Sequence, residues 1–197
     1  KKKVAIIGAT SGIGRALAVE MHERGYIVGA TGRRVERLEE LHQELDNRIH
    51  IQYMDVTELS DAIEQLRQLK NDMGGLDMVI LNAGVSYYQK SSSRASYLHV
   101  IDVNIRGFAN LASHCFENFE EQGHGHIVGI SSVAGLFGWG LSVTYSASKS
   151  FVNTYLQGYR QLANNSDADI TVSTIMPGFV ESEMIRGTQG KFWIAPT

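Results

Sequence analysis

Tyr145 and Lys149, in the run "YSASKS", stand four positions apart, and on a helix that spacing projects both side chains from one face. A phenol with a pKa of about 10 is a poor acid or base near neutrality, but an adjacent ammonium favours the phenolate and lowers that value. The pair is suited to exchanging a proton with an oxygen atom, as a carbonyl that accepts hydride requires. Ser132 comes thirteen positions earlier, near the end of an apolar run, where its hydroxyl could polarise that same oxygen. Each residue also has a plainer reading. An isolated Tyr-x-x-x-Lys is most often an exposed amphipathic pair, and a strand-end serine is usually a turn or cap residue. Asn104, polar within a helical stretch, could be an internal helix residue.

A different chemistry is written into "IIGATSGIGRA", residues 6–16, where Gly8, Gly12 and Gly14 follow an apolar run with Thr10, Ser11 and Ile13 among them. The order reads as a buried strand, a tight turn and a helix start. Unpaired N–H groups at a helix amino terminus attract phosphate, and glycines let a pyrophosphate lie against the backbone. The alternative is a turn whose glycines serve only strand–helix packing. Position after the first strand and at the opening of a helix is the context that dinucleotide binding requires.

The elements that must carry these residues follow from periodicity. Short β-branched and apolar runs at 4–7, 27–31, 49–54, 76–81, 126–130 and 170–176 predict strands. Helical stretches lie between most of them: Gly12 to Arg24 with Gly25 as stop signal, 34–46 with Leu38, Leu41 and Leu45 on one face, and a third from Thr57 or Ser60. A fourth covers much of 95–119 and a fifth about 144–163. Alternating strands and helices predict an α/β, doubly wound parallel sheet with helices on both faces, and 197 residues without repeat or linker suit a single domain. The tail after Pro177 reads as a loop or lid.

Composition excludes several classes. A net charge of -3 with scattered Lys and Arg, apart from "KKK" at 1–3 and "GRR" at 32–34, argues against a nucleic-acid partner. The single cysteine, Cys115, cannot form an internal disulfide, and no run approaches a membrane span, so a reduced, cytoplasmic compartment is expected. "VAIIGA" behind the lysines is too short for a signal peptide. His124 and His126 in "GHGH" find no evident third ligand, which favours a surface turn over a metal site.

The glycine turn, with three residues between Gly8 and Gly12 and one between Gly12 and Gly14, resembles that of the short-chain dehydrogenase/reductase family, Thr-Gly-x-x-x-Gly-x-Gly, with Ile7 in place of Thr. Further motifs follow in that family's order: Asp55-Val56, Asn82-Ala83-Gly84, Val103-Asn104, Ser131-Ser132, Tyr145 to Lys149, and Pro177-Gly178. Ser132 stands at the family's usual interval from Tyr145. Leu81 replaces the first of two asparagines usual before Ala-Gly. Members typically add another helix and a seventh strand after the lid, whereas this sequence ends at "WIAPT", about where that helix would begin. On that comparison residues 1–197 form one dinucleotide-binding and catalytic domain lacking the last helix and strand, with β-edge pairing to another chain as an expected consequence.

The resemblance implies a Rossmann-type fold and a catalytic set of Asn104, Ser132, Tyr145 and Lys149. Lys149 would also hold the nicotinamide ribose, and Asn104 a water that extends the proton relay. Asp55 and Val56 would meet the adenine, Asn82, Ala83 and Gly84 the adenosine, and Pro177, Gly178, Val180 and Ser182 the nicotinamide side. A helix cap beside Thr57 is the plainer role for Asp55. NAD-binding members usually carry an acid at the end of the second strand, where this chain has Gly32 followed by Arg33 and Arg34. Such cations suit a 2′-phosphate, so NADP is preferred, with NAD open and a solvated helix start as the alternative for the arginines. Tyr87, Phe137, Trp139, Phe192 and Trp193 could line an apolar substrate pocket. The expectation is an NADP-preferring oxidoreductase that interconverts a small-molecule carbonyl and a secondary alcohol, with a homo-oligomer open. The rivals are an NAD-dependent alcohol dehydrogenase and a dinucleotide-sensing protein without turnover. A sugar-nucleotide epimerase fits less well, because its usual turn is Gly-x-x-Gly-x-x-Gly.

Overall fold

The structure, a computed structural model, describes residues 1–45, 48–87, 93–180 and 183. Six strands, β1 (Lys3–Ile7), β2 (Ile27–Gly32), β3 (Ile49–Tyr53), β4 (Met78–Leu81), β5 (His124–Ile130) and β6 (Asp169–Ile175), form one sheet. Every pairing is parallel, in the order β3-β2-β1-β4-β5-β6. Between them run α1 (Gly12–Glu23), α2 (Val35–Glu44), α3 (Leu59–Asp72), α4 (Arg94–Ile101), α5 (Phe108–Gln122) and α6 (Val143–Asn164).

Strand periodicity explains the two layers. Along β1, Val4 and Ile6 face one side with Ala18 of α1 and Leu38 and Leu41 of α2, while Ala5 and Ile7 face the other. That second layer holds Leu66 of α3, Leu111 and Phe119 of α5, and Leu156 of α6. Strands buried on both faces need continuous apolar runs, and "VAII" is one. Burying each of these leucines contributes about 1.5–3 kcal/mol. Leu45, expected on the buried face of the second helix, packs at the edge of its layer just beyond the helix end.

Most element ends shift by one or two residues from the periodicity reading, and two places differ in kind. The long helix expected over 95–119 is broken by a π-helical segment, Asp102–Gly107, between α4 and α5. One extra residue in a turn rotates the following side chains, and Asn104 lies inside this segment and is buried. The His124-Gly125-His126 stretch is not a turn but the start of β5, with Gly123 closing α5 in the left-handed region at φ +83°. His124 pairs with Asp77, and His126 Nε2 lies 2.9 Å from Ser173 Oγ.

Strand order reverses between β1 and β4, so the crevice beyond their carboxyl ends is where an open parallel sheet offers a binding site. The glycine turn leaves β1 there, and Asn82, Ala83 and Gly84 leave β4. Asn82 joins the two by donating from Nδ2 to the Gly8 carbonyl at 2.7 Å.

Candidate active site

A cleft of about 710 Å³ opens over that crevice. Its floor at one end is the glycine turn. Gly8 and Gly12 adopt φ of +90° and +53°, which L side chains avoid. Close packing makes its own demand: a Cβ at Gly14 would lie 2.0 Å from the Gly8 carbonyl oxygen, and one at Gly8 would lie 2.8 Å from Ala83 Cα. The packing reading of Gly8 and Gly14 therefore holds, whatever else lies against the turn. Gly8, Thr10, Ser11, Gly12 and Ile13 line the cleft, whereas Gly14 serves the packing beneath it.

The amino terminus of α1 opens onto the cleft without a side-chain cap and without an acidic residue in its first turn. Its first N–H groups have no intrahelical partner and favour an anion. The Ser11 hydroxyl, at the cap position, instead accepts a hydrogen bond from Arg34 Nη2 at 2.6 Å. Arg34 also donates from Nε and Nη2 to Thr10 Oγ1, at 3.2 and 2.9 Å, and from Nη1 to Glu183 Oε2 at 2.7 Å. The hydrogen bond and charge of Arg34 hold the Glu183 carboxyl below its ordinary range.

Gly32 ends β2 against the same turn, where a Cβ would lie 2.4 Å from Thr10 Cγ2. Arg33 Nη1 lies 3.7 Å from Asp55 Oδ2. Asp55 accepts from the Thr57 amide at 3.0 Å and the Thr57 hydroxyl at 2.8 Å, which closes a local turn; the N-cap of α3 is Glu58, so Asp55 is not the helix cap of its plainer reading. Burial opposes its ionisation, but the Thr57 hydrogen bonds and the Arg33 charge together outweigh it and lower its pKa. Asp55 and Val56 both face the cleft.

At the other end α6 brings Tyr145 and Lys149 to the wall beside β5. Gly135, in a 3-10 turn over Val133–Leu136, makes that docking close: a Cβ there would lie 2.7 Å from the Lys149 carbonyl carbon. Ser131 Oγ donates to the Lys149 carbonyl at 3.1 Å, and Ser150 Oγ donates to the Gly135 carbonyl at 2.7 Å. Lys149 Nζ is buried, donates to the Ile130 carbonyl at 2.7 Å, and lies 5.6 Å from the centre of the Tyr145 ring. Burial pushes the ammonium down to about 8. Ser132 Oγ accepts from the Ala134 amide at 3.1 Å and donates to the Pro177 carbonyl at 3.4 Å.

Asn104 does not line the cleft; it stands behind the Gly84-Val85 wall. Its Oδ1 accepts from the Val85 amide at 2.8 Å, and its Nδ2 donates to the Val85 carbonyl at 2.9 Å and to Ser148 Oγ at 3.0 Å. A Cβ at Gly84 would lie 3.4 Å from Asn104 Oδ1 and 3.5 Å from Lys149 Nζ, so Asn104 and Lys149 flank one point of the wall. Pro177, Gly178 and Val180 lie along the cleft, and so do Tyr87, Phe137 and Trp139. Trp139 meets Phe179 edge to face at 5.9 Å. Ser182, Phe192 and Trp193 lie outside the described residues. Sequence reasoning missed Ser86 and Ser142, whose hydroxyls lie 3.1 Å apart in the cleft, and also missed Glu183; no local pattern marks any of them.

Among the described residues no group of His, Cys, Asp or Glu is arranged to hold a metal ion, and no helix is long and apolar enough to cross a membrane. Cys115 is buried in the layer of α5, and burial raises its thiol to about 12.

Known proteins are similar to this chain along most of its length. An uncharacterized oxidoreductase of Myxococcus xanthus (strain DK1622) is 36% identical over 185 residues, covering 91% of this chain and 72% of that protein. The NADP-dependent 3-hydroxy acid dehydrogenase YdfG of Shigella flexneri is 31% identical over 189 residues, covering 94% and 73%. A closed form of serine dehydrogenase complexed with NADP+ superposes with a TM-score of 0.83 at 31% identity, covering 92% of this chain and 74% of that one. The short chain dehydrogenase family model matches residues 2–191, and the chain belongs to that family of oxidoreductases.

Proposed function

We propose that this chain is an NADP-preferring oxidoreductase that interconverts a carbonyl and a secondary alcohol, with Tyr145, Lys149, Ser132 and Asn104 as its active-site set. The observation that carries the reading is Lys149, a buried ammonium held by the Ile130 carbonyl beside the Tyr145 ring, on the wall of a cleft whose far end is an uncapped helix terminus. A charge buried at this cost to stability is seldom kept without a task.

The cleft fits a pyridine dinucleotide. The uncapped start of α1 suits a pyrophosphate, ionised Asp55 can accept from the adenine amino group, and Arg33 and Arg34 suit a 2′-phosphate. The NADP named for the two relatives supports that choice. Asn82, Ala83 and Gly84 would flank the adenosine, and Pro177, Gly178 and Val180 the nicotinamide. When bound, the cofactor supplies or accepts the hydride. The chain's own part is proton transfer and positioning. Tyr145 Oη would give a proton to the carbonyl oxygen or take it from the alcohol, and the Lys149 ammonium eases its loss from the phenol. Ser132 Oγ, at the mouth of β5, would donate to the substrate oxygen on exchanging its Pro177 partner. Asn104 holds the Val85 backbone from both its groups and so fixes the wall next to Lys149; a relay water on that side is its further role.

The deciding experiment measures NADPH and NADH consumption with a panel of ketones and aldehydes, together with cofactor dissociation constants. Tyr145→Phe should lower turnover by about 10²–10⁴-fold with cofactor binding largely kept. Arg33→Ala should weaken NADPH by about tenfold to a hundredfold and NADH little. Near-normal turnover in the first variant removes the tyrosine from the mechanism. Equal losses of both cofactors in the second remove the NADP preference.

A further inference from the structure

Arg34 is held from two sides. Its Nε and Nη2 are anchored on Thr10 and Ser11 of the glycine turn, while its Nη1 donates to Glu183, a residue 149 positions away in the segment that follows β6. Both side chains of that pair are about 40% accessible, at 40% and 42%, so water screens the contact and it can exchange. Arg33 is placed differently: its approach to Asp55 is longer, at 3.7 Å, and its side chain is 51% exposed.

A guanidinium N–H that donates to a carboxylate cannot give its full strength to a second anion. Building on the reading of Arg33 and Arg34 as 2′-phosphate partners, we propose that Glu183 is a specificity-determining residue that competes with the 2′-phosphate for Arg34. The acid that sets cofactor choice thus stands not at the end of β2, where Gly32 lies, but beyond the end of β6, and it acts through the arginine rather than through the ribose. Its effect is to hold back affinity for the phosphorylated cofactor, and phosphate binding in turn releases Glu183 from the turn.

The test is calorimetric binding of adenosine 2′,5′-bisphosphate and of AMP, which needs no turnover. Glu183→Gln should bind the bisphosphate about twofold to fivefold more tightly, the range an exposed ion pair permits, and AMP equally. The gain should shrink when salt is raised about tenfold and vanish when Arg34→Ala is also present. An unchanged ratio of the two affinities in Glu183→Gln, or a gain that persists beside Arg34→Ala, overturns the proposal. If Arg33→Ala and Arg34→Ala each lower that ratio while Glu183→Gln does not, the competition fails and the phosphate reading stands. If neither arginine variant changes the ratio, the phosphate reading itself fails and takes this proposal with it.

Discussion

Replacing Lys149 with methionine should change how stability depends on pH, in a direction that follows from its burial. The folded chain holds the ammonium near 8, against an ordinary 10.5. Between those values the unfolded chain binds more protons than the folded one, so unfolding free energy rises with pH. The contribution of Lys149 is complete above 10.5 and is lost as pH falls through 8. The gap, at about 1.4 kcal/mol per pH unit, amounts to about 3 kcal/mol, most of it between about pH 7 and pH 10. Lys149→Met lacks the titration but leaves the Ile130 carbonyl without its donor, a loss of about 1–3 kcal/mol that does not vary with pH. The slope therefore carries the information, not the stability at one pH. Urea unfolding of both proteins across that range, each in a Tyr145→Phe background to remove the neighbouring phenol, gives the difference directly. The lysine protein should gain steadily on the methionine variant. A flat difference would show that Lys149 keeps its ordinary affinity for protons, and the account of a strained ammonium driving the tyrosine would be refuted.

Gly14→Ala puts a methyl group against the Gly8 carbonyl and Asn82 Nδ2, so the turn or α1 must shift; we expect a loss of about 1–3 kcal/mol in chemical unfolding and weaker binding of NADPH. Unchanged stability would mean that the turn relaxes freely. Asn104→Ala strands the Val85 amide and carbonyl, while Ser148 keeps its bond to the Tyr145 carbonyl, and should lower stability by about 3 kcal/mol, read from the unfolding midpoint. An unaltered midpoint would contradict its role as a brace. Cys115, buried with its thiol raised to about 12, should react with a thiol reagent only as fast as the chain opens, and denaturant should accelerate the reaction sharply. Rapid labelling of the native protein would contradict that burial.

Local spacing was enough for much of this protein. Apolar runs of strand length between helical stretches imply a doubly wound parallel sheet, because β1 can bury both faces only beneath helices on each side. Four positions bring Tyr145 and Lys149 to one face of α6 whatever surrounds them. The glycine turn was legible for the same reason, since its shape follows from backbone geometry and its place between a strand and a helix. What the sequence left undetermined depends on contacts between distant positions. The π segment from which Asn104 bonds Val85 and Ser148 is not a periodicity that a single helix shows. That packing alone demands glycine at 8 and 14 showed only when Ala83 and the Gly8 carbonyl were seen against them. The fall in the Lys149 pKa sums the desolvation by every neighbour and has no local signature. Arg34 and Glu183 meet across 149 positions because β1, β2 and β6 all end at the same rim of one parallel sheet, and that register is a property of the folded whole.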